Sequence, residues 1–554
     1  MLKNLDDRKK SMLYILGGLL MILVVYWPNF QEGIYTGHDL SYHFNRIDSL
    51  AESLRNGIFP VKWHATRAFG YGYGVGFFYC NFFLYLPAIL INLGMDLLTS
   101  YKVFLFLVYI GIFTSMFFST RKISGNNEAA FIASCMYLLS NKVMASVYVS
   151  GAVGEVTAFI FAPMAIAGMY CFLMKNEYPY MLIVGFCGLI FSHTISTFLI
   201  FVVCGLIVLV YLNRLFENKM KILHLISAVV IVALVTMCFW LPMLEQMSAQ
   251  DLKVKYPWTV SEEHVELFRS IVMGELRLGY LITLVLVVSI CGGVILAVQK
   301  KREELKCIVP FLSIALVMIY ITTNKYFWHV MNSVLEIKFL QFPYRLFSSV
   351  TILVLFAFSV IYTSLECKII FKRSLCVLLV GFGILVSYNM YSVYYLNTGF
   401  DDINAVIEGR YPGLGGGEEW LPIETQLDEL VDSTQVFDDQ GIRSVGEKIN
   451  GCNQFIFEAD MSRPFYDIPY VWYKGFEAID SQGNPLRIDK NYETGMIRIY
   501  IDENRNENEL ITVYYKGTKY QKLAYAGSLL GICTVIIYII VCKKDLVSYK
   551  RNRA

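Results

Sequence analysis

The chain has 554 residues, of which 56% are hydrophobic and only 17% are charged, and its mean hydropathy is +0.51. These proportions exclude an ordinary soluble enzyme. The formal charge of +2 hides an asymmetry: residues 393–520 hold 23 acids and 11 bases, net −12, whereas the rest of the chain holds 22 acids and 36 bases, net +14.

A bilayer core about 30 Å thick takes about 20 helical residues to cross. Apolar runs of that kind occur near 12–28, 101–119, 128–141, 156–174, 181–212, 222–243, 276–298, 305–322, 346–365, 371–392 and 521–542. The first has no small-residue cleavage site behind it and reads as an uncleaved span. The run 181–212 is too long for one helix and carries Ser192-His193-Thr194 at its middle, so it predicts two helices turning there and twelve spans in all. Phe77–Leu93 is apolar enough to span, but counting it reverses the sign of every later loop, so it reads as a re-entrant or interfacial segment. The clusters Arg8-Lys9-Lys10, Arg121-Lys122, Arg214 with Lys219 and Lys221, Lys300-Lys301-Arg302, Lys368 with Lys372-Arg373 and Lys543-Lys544 then share one side. Cytoplasmic loops retain positive charge, so both termini are expected in the cytoplasm. The loops 29–80, 244–275 and 323–345, the turn 142–155 and the segment 393–520 are expected on the outer face.

The last of these changes character. Turn-rich Pro412-Gly413-Leu414-Gly415-Gly416-Gly417 precedes the alternating runs Gln454–Glu458, Tyr470–Tyr473, Met496–Ile501 and Ile511–Tyr515, which predict a small outer β-domain. It contains one cysteine, Cys452, and so no internal disulfide. The expected organisation is a transmembrane domain 1–392, a β-rich extracytoplasmic domain 393–520, and a final span with a basic tail, 521–554.

Ionisable residues beside membrane spans are costly and are the default functional candidates. The first outer loop supplies most of them: Gly37-His38-Asp39-Leu40-Ser41-Tyr42-His43-Phe44-Asn45-Arg46, then Lys62 and Arg67. His43, Arg46, Ile47, Leu50, Ala51 and Leu54 recur at helical spacing, which predicts an amphipathic helix in the interface with Arg46 and Arg55 towards phosphates. Phe69-Gly70-Tyr71-Gly72-Tyr73-Gly74-Val75-Gly76 reads as a tight aromatic turn; a sugar or lipid head group against its exposed backbone is the alternative. Glu155, His193, Glu245 and Arg345 each stand at the lip of a span. Arg345 opens a helix, the unfavourable end for a cation, and an anionic phosphate is a natural partner for it. Glu262-Glu263-His264-Val265-Glu266 reads as a solvated helix rather than a metal cluster. No zinc-hydrolase, serine-hydrolase or Walker motif occurs.

Taken in order, Gly37-His38-Asp39-Leu40 through Arg46, Phe59-Pro60-Val61 with Gly70-Tyr71-Gly72-Tyr73, Gly151-Ala152-Val153-Gly154-Glu155, Ser192-His193, Trp240-Leu241-Pro242 and Gln341-Phe342-Pro343-Tyr344-Arg345 resemble the bacterial YfhO-like family. That family is also labelled 6-pyruvoyl-tetrahydropterin-synthase-related. It is in turn similar to integral-membrane glycosyltransferases of the GT-C fold, which move a sugar from a polyprenyl-phosphate carrier to an acceptor outside the cytoplasmic membrane. The resemblance implies an α-helical polytopic GT-C-like protein in a bacterial cytoplasmic membrane, with Asp39 as catalytic acid-base residue. It implies a polyprenyl-phosphate-linked sugar as donor and a cell-envelope glycan or polymer as acceptor, with membrane lipid around the chain and no nucleic acid. Positions 37 and 41 are Gly and Ser, so no Asp-x-Asp pair forms, which argues against dependence on a divalent metal, and no other cofactor is implied. His38, His43, Arg46, Lys62, Arg67, Glu155, His193, Glu245 and Arg345 would bind phosphate or sugar. A flippase for a lipid-linked saccharide and a non-catalytic envelope scaffold remain as alternative readings.

Overall fold

The computed structural model describes residues 7–35, 37–255, 277–335, 340–398, 400–401, 417–426, 430, 432–501 and 508–551. Its first half runs α1 (Asp7–Tyr26), β1 (Ile34–Tyr35), α2 (Leu40–Arg55), α3 (Tyr85–Asn92), α4 (Leu97–Ser124), α5 (Asn127–Leu138), α6 (Asn141–Tyr148) and α7 (Val153–Met174). Then come α8 (Tyr180–Ser192), α9 (Thr194–Val210), α10 (Lys219–Val235), α11 (Met237–Ala249), α12 (Gly279–Val298), α13 (Arg302–Thr323), α14 (Phe347–Ser364) and α15 (Ile369–Thr398). Among the described residues eight helices are long and apolar enough to cross a membrane, or ten if the bent pairs α5–α6 (41°) and α10–α11 (69°) each make one span. The protein is a multi-pass membrane protein. The twelve expected spans coincide with these ten and with the shorter helices α8 and α9.

Those two form a hairpin against α7. Gly185 and Gly188 of α8 leave room for the Ala165 backbone and the Phe161 ring, and Cys204 of α9 returns to the Ala165 carbonyl. The turn is where the polar residues of the run predict it. His193 is extended, with φ −155° and ψ 115°, and its ring accepts the Ser196 amide to cap α9. The stretch Phe82–Asn92 is a short apolar helix, about 16 Å long at 1.5 Å per residue, and does not cross a bilayer core. This agrees with a re-entrant or interfacial segment.

The chain continues through β2 (Phe400–Asp401), which pairs with β1, into β3 (Gln435–Asp438), β4 (Arg443–Val445), β5 (Glu447–Ile449), β6 (Gln454–Asp460), β7 (Phe465–Val471), β8 (Phe476–Ile479), β9 (Pro485–Lys490), β10 (Met496–Tyr500) and β11 (Asn508–Tyr515), and ends in α16 (Lys519–Arg551). Strands β3–β11 form one antiparallel sheet in the order β4-β3-β7-β10-β9-β8-β11-β6-β5. Its two halves face each other, because Phe455 and Phe457 of β6 pack on Tyr470 and Tyr466 of β7 at 5.7 and 5.3 Å. The end strands β4 and β5 are joined through Gly446 alone, where a side chain would strike the Phe455 ring. The run expected at Tyr470–Tyr473 contributes only its first two residues, to the end of β7, and Pro412–Gly416 and Glu262–Glu266 lie outside the described residues.

Two features of the first loop differ from expectation. Helix α2 does not lie on lipid: Phe44, Ile47, Leu50 and Ala51 are fully buried, with Phe44 edge-on to Tyr101 of α4 at 4.8 Å, while its other end meets the β-domain at Gly451. Only Arg55, in the last turn, is exposed. The aromatic glycine run belongs to the β-domain core, where Trp63, Tyr71, Tyr73, Val75 and Phe77 are buried with Tyr470, Tyr473 and Phe476. Val471 donates its amide to the Tyr71 carbonyl at 2.8 Å, and Tyr71 and Tyr73 hydroxyls donate to the Asp432 and Gly417 carbonyls. Gly72 has φ +83° with the Trp63 indole directly against it, so its open backbone faces the protein's own core rather than a ligand.

Candidate functional site

The start of α2 is pinned to the turn before α7. His38 donates its amide to the Val149 carbonyl at 3.2 Å and Asp39 donates to Ser150 at 2.7 Å, and the Gly37 and Gly151 backbones are in contact. The first loop therefore closes over the 142–155 turn. Asp39 occupies the N-cap position of α2, yet its carboxylate makes no capping hydrogen bond and the residue is exposed, as is His38. The carboxylate lies within electrostatic reach of the Tyr42 and Tyr79 hydroxyls.

Behind Asp39 is a buried cationic group. Arg46 is 2% exposed and donates to the Tyr79 and Cys80 carbonyls at 3.0 and 3.1 Å and to the Asn81 amide oxygen at 2.7 Å. Its guanidinium also lies over the Tyr79 ring at 4.3 Å, and that ring stacks parallel to Tyr42 at 6.1 Å. His43, one turn before, is held well below its ordinary value by burial, by the Arg46 charge and by nearby His193, so its ring is neutral. The Tyr79 ring is 5.9 Å from the His193 ring, and its hydroxyl fills the space a side chain at Gly154 would need. Lys142 of α6 reaches the Glu155 carboxylate at 2.9 Å, and Ser146 donates to the same carboxylate at 3.4 Å. Arg345 donates to the Leu340 carbonyl at 3.0 Å and lies within electrostatic reach of Glu155, His193 and Tyr79. A cavity of about 10 Å³, the space of roughly one water, separates these elements; its walls include His43, Arg46, Gly154, Phe83 and Phe191.

The structure thus gathers Asp39, His43, Arg46, Glu155, His193 and Arg345 around Tyr79. It sends three expected partners elsewhere, each for a structural reason. Lys62 donates to the Cys238 carbonyl at 3.1 Å, tying the first loop to α11. Arg67 pairs with Asp48 on α2 at 2.5 Å. Glu245 accepts from Thr518 at 2.5 Å and pairs with Lys474 at 3.6 Å, linking α11 to the β-domain and the last helix. Sequence reasoning missed Lys142, Tyr79, Asn81 and the Glu419-Trp420 pair, in which Glu419 lies within reach of Tyr42 and Trp420 stacks on Phe78 at 4.8 Å. Lys142 had a signal: with Glu155 it is one of only two charged side chains in the turn 142–155. Among the described residues no three His, Cys, Asp or Glu side chains converge as metal ligands would.

Fold and site together define a multi-pass membrane protein whose helical bundle carries a β-rich domain over a buried cluster of charged side chains. The chain belongs to a family of unknown function, DUF6541, whose model matches residues 6–360. This name differs from that of the YfhO-like family its motifs resemble, and it brings no assigned activity. No curated protein matches the chain. Among solved structures it is similar to the cryo-EM structure of the arabinofuranosyltransferase AftD from mycobacteria, at 11% identity and a TM-score of 0.45 over 70% of this chain. The match spans only 27% of the length of AftD.

Proposed function

We propose that this protein is a GT-C-type membrane glycosyltransferase that takes a sugar from a polyprenyl-phosphate carrier and places it on an extracytoplasmic cell-envelope glycan or polymer. On this reading the β-domain is outside a bacterial cytoplasmic membrane and both termini are inside. The observation that carries it is the exposed Asp39 carboxylate, fixed by backbone hydrogen bonds at the rim of a buried cationic group. Inverting transfer needs that pairing. A carboxylate accepts the proton of the acceptor hydroxyl as its oxygen bonds to the anomeric carbon, and the bond to the carrier phosphate breaks with its electron pair left on that phosphate. Asp39 is the base, and Arg345, with Arg46 and His193 behind Tyr79, faces the departing anion. Glu155 is paired with Lys142.

The test is transfer from a panel of radiolabelled polyprenyl-phosphate sugars to a cell-envelope extract, with wild type beside Asp39→Asn. General-base loss costs about 10²–10⁴ in rate, so transfer should fall by at least a hundredfold while the melting temperature holds. Transfer that survives the substitution removes Asp39 as base. Movement of a lipid-linked saccharide between leaflets without transfer would favour a flippase, for which the broken helix at His193 is the relevant feature.

A further inference from the structure

Between α13 and α14 the chain forms one more helix, Lys325–Leu335, which follows α13 after the single extended residue Asn324. Its 11 residues make it about 16 Å long at 1.5 Å per residue, too short to cross a bilayer core. Its direction is fixed to α13. The Asn324 side-chain oxygen accepts the Phe327 amide at 2.9 Å, and the Trp328 indole, buried in the bundle core, donates back to the Ile321 carbonyl at 2.9 Å.

Successive residues of a helix are about 100° apart, and exposure divides this one by that angle into three sectors. Phe327, Trp328, Met331 and Asn332 turn to the protein and are buried or half-buried. Lys325, His329 and Ser333 form an exposed polar row. Tyr326, Val330 and Val334 form a second exposed row beside it, at 83%, 55% and 68% exposure. A helix in water has one wet face. Two exposed faces of opposite chemistry fit a helix with protein at its side, head groups above and hydrocarbon below. The span that leads into it has an apolar outer face as well, because Val309, Leu316, Val317 and Tyr320 of α13 are all exposed on one side. The helix carries no acid, and Lys325 is its only Lys or Arg.

We infer that Lys325–Leu335 lies in the plane of the membrane surface, with Tyr326, Val330 and Val334 in the acyl region and Lys325 and His329 against the phosphates of anionic phospholipid. A helix fixed to α13 in this way resists tilting of that span, since tilt would lift the apolar row into water or drag Lys325 into hydrocarbon. This contact follows from the membrane-spanning fold alone and is independent of the glycosyltransferase reading.

The full chain in lipid nanodiscs tests the placement without substitution. Hydroxyl-radical footprinting, corrected for intrinsic reactivity, compares Tyr326 with Tyr492, which is 70% exposed on the β-domain. Tyr326 should be oxidised at least fivefold more slowly than Tyr492, while His329, one turn away, is oxidised readily. Equal rates for the two tyrosines, or equal protection of Tyr326 and His329, overturn the placement. A phosphatidylcholine with a photoreactive group in its acyl chain separates a lipid cover from a protein one. Adducts at Tyr326, Val330 and Val334 support the immersed row, and protection of Tyr326 without adducts there overturns it. For the head group, phosphatidylglycerol and phosphatidylcholine, each with a photoreactive head, are compared in equimolar discs. The anionic lipid should label the segment 325–333 at least threefold more heavily, and Lys325→Gln should remove most of that preference while Tyr326 stays protected. Equal labelling by the two lipids in wild type overturns the anionic partner.

Discussion

Lys142 and Glu155 are 1% and 7% exposed as side chains, the most deeply buried ion pair among the described residues. Removing one partner of such a pair strands the other charge, at about 3–5 kcal/mol, whereas replacing both by apolar groups is far cheaper. Glu155→Gln should therefore lower stability in detergent by about 3 kcal/mol, and adding Lys142→Met should restore most of it; chemical unfolding of the two variants checks this. A second expectation concerns acid. His43 and His64 both lie outside the spans, and burial with the charges of Arg46, and for His64 also Arg67, holds each well below the ordinary value of 6.5. The unfolded chain then takes up protons first, so stability is full above about pH 6.5 and falls as pH drops below it, by up to about 1.4 kcal/mol per pH unit for each ring. Melting temperatures from pH 7.5 to pH 5 should decline more steeply in wild type than in His64→Gln. The charged candidates at the span lips were legible because an ionisable group there must find a partner. That rule reveals the need and not the partner, which is why Lys62, Arg67 and Glu245 looked like ligands and are structural ties. Tyr79 and Asn81 carry no such signal, since an aromatic ring or an amide is ordinary beside a membrane.

At the scale of elements, the α8–α9 turn followed from one polar interruption in an apolar run, and the short helix Phe82–Asn92 falls within the segment Phe77–Leu93 that charge bookkeeping across loops set apart from the spans. Short strands were harder to read. The three-residue strands β4 and β5 are too brief to show alternate burial, whereas β11 buries every second residue over most of its length. The loop carrying Trp63 was not legible as part of the β-domain at all, because its contacts are set by tertiary packing alone. Trp63 sits edge-on to Tyr470 at 4.9 Å and to Phe476 at 5.0 Å, and it is 3% exposed. Trp63→Ala should cost about 3–5 kcal/mol, as for other large buried aromatics. Hydrogen exchange would show the loss as faster opening of β7 and β8, with α7 and α14 unchanged; uniform acceleration throughout the bundle would contradict it.

The whole molecule has two large cores, one in the helical bundle and one in the β-domain, and α2 with its following loop is the segment that enters both. The candidate site lies where that segment crosses from the first to the second. The contacts that anchor the loop join residues very far apart in the chain: Tyr73 to Gly417 over 344 residues, Tyr71 to Asp432 over 361, and Gly70 to Lys448 over 378. A ribosome adds about 5–20 residues each second, so roughly 20 to 70 s of synthesis pass between the emergence of the loop and that of its partners. Throughout that interval Trp63, Tyr71, Tyr73 and Phe77 wait at the membrane surface with no sheet to cover them, and the nascent chain is at its most exposed to misassembly long before its last helix is made.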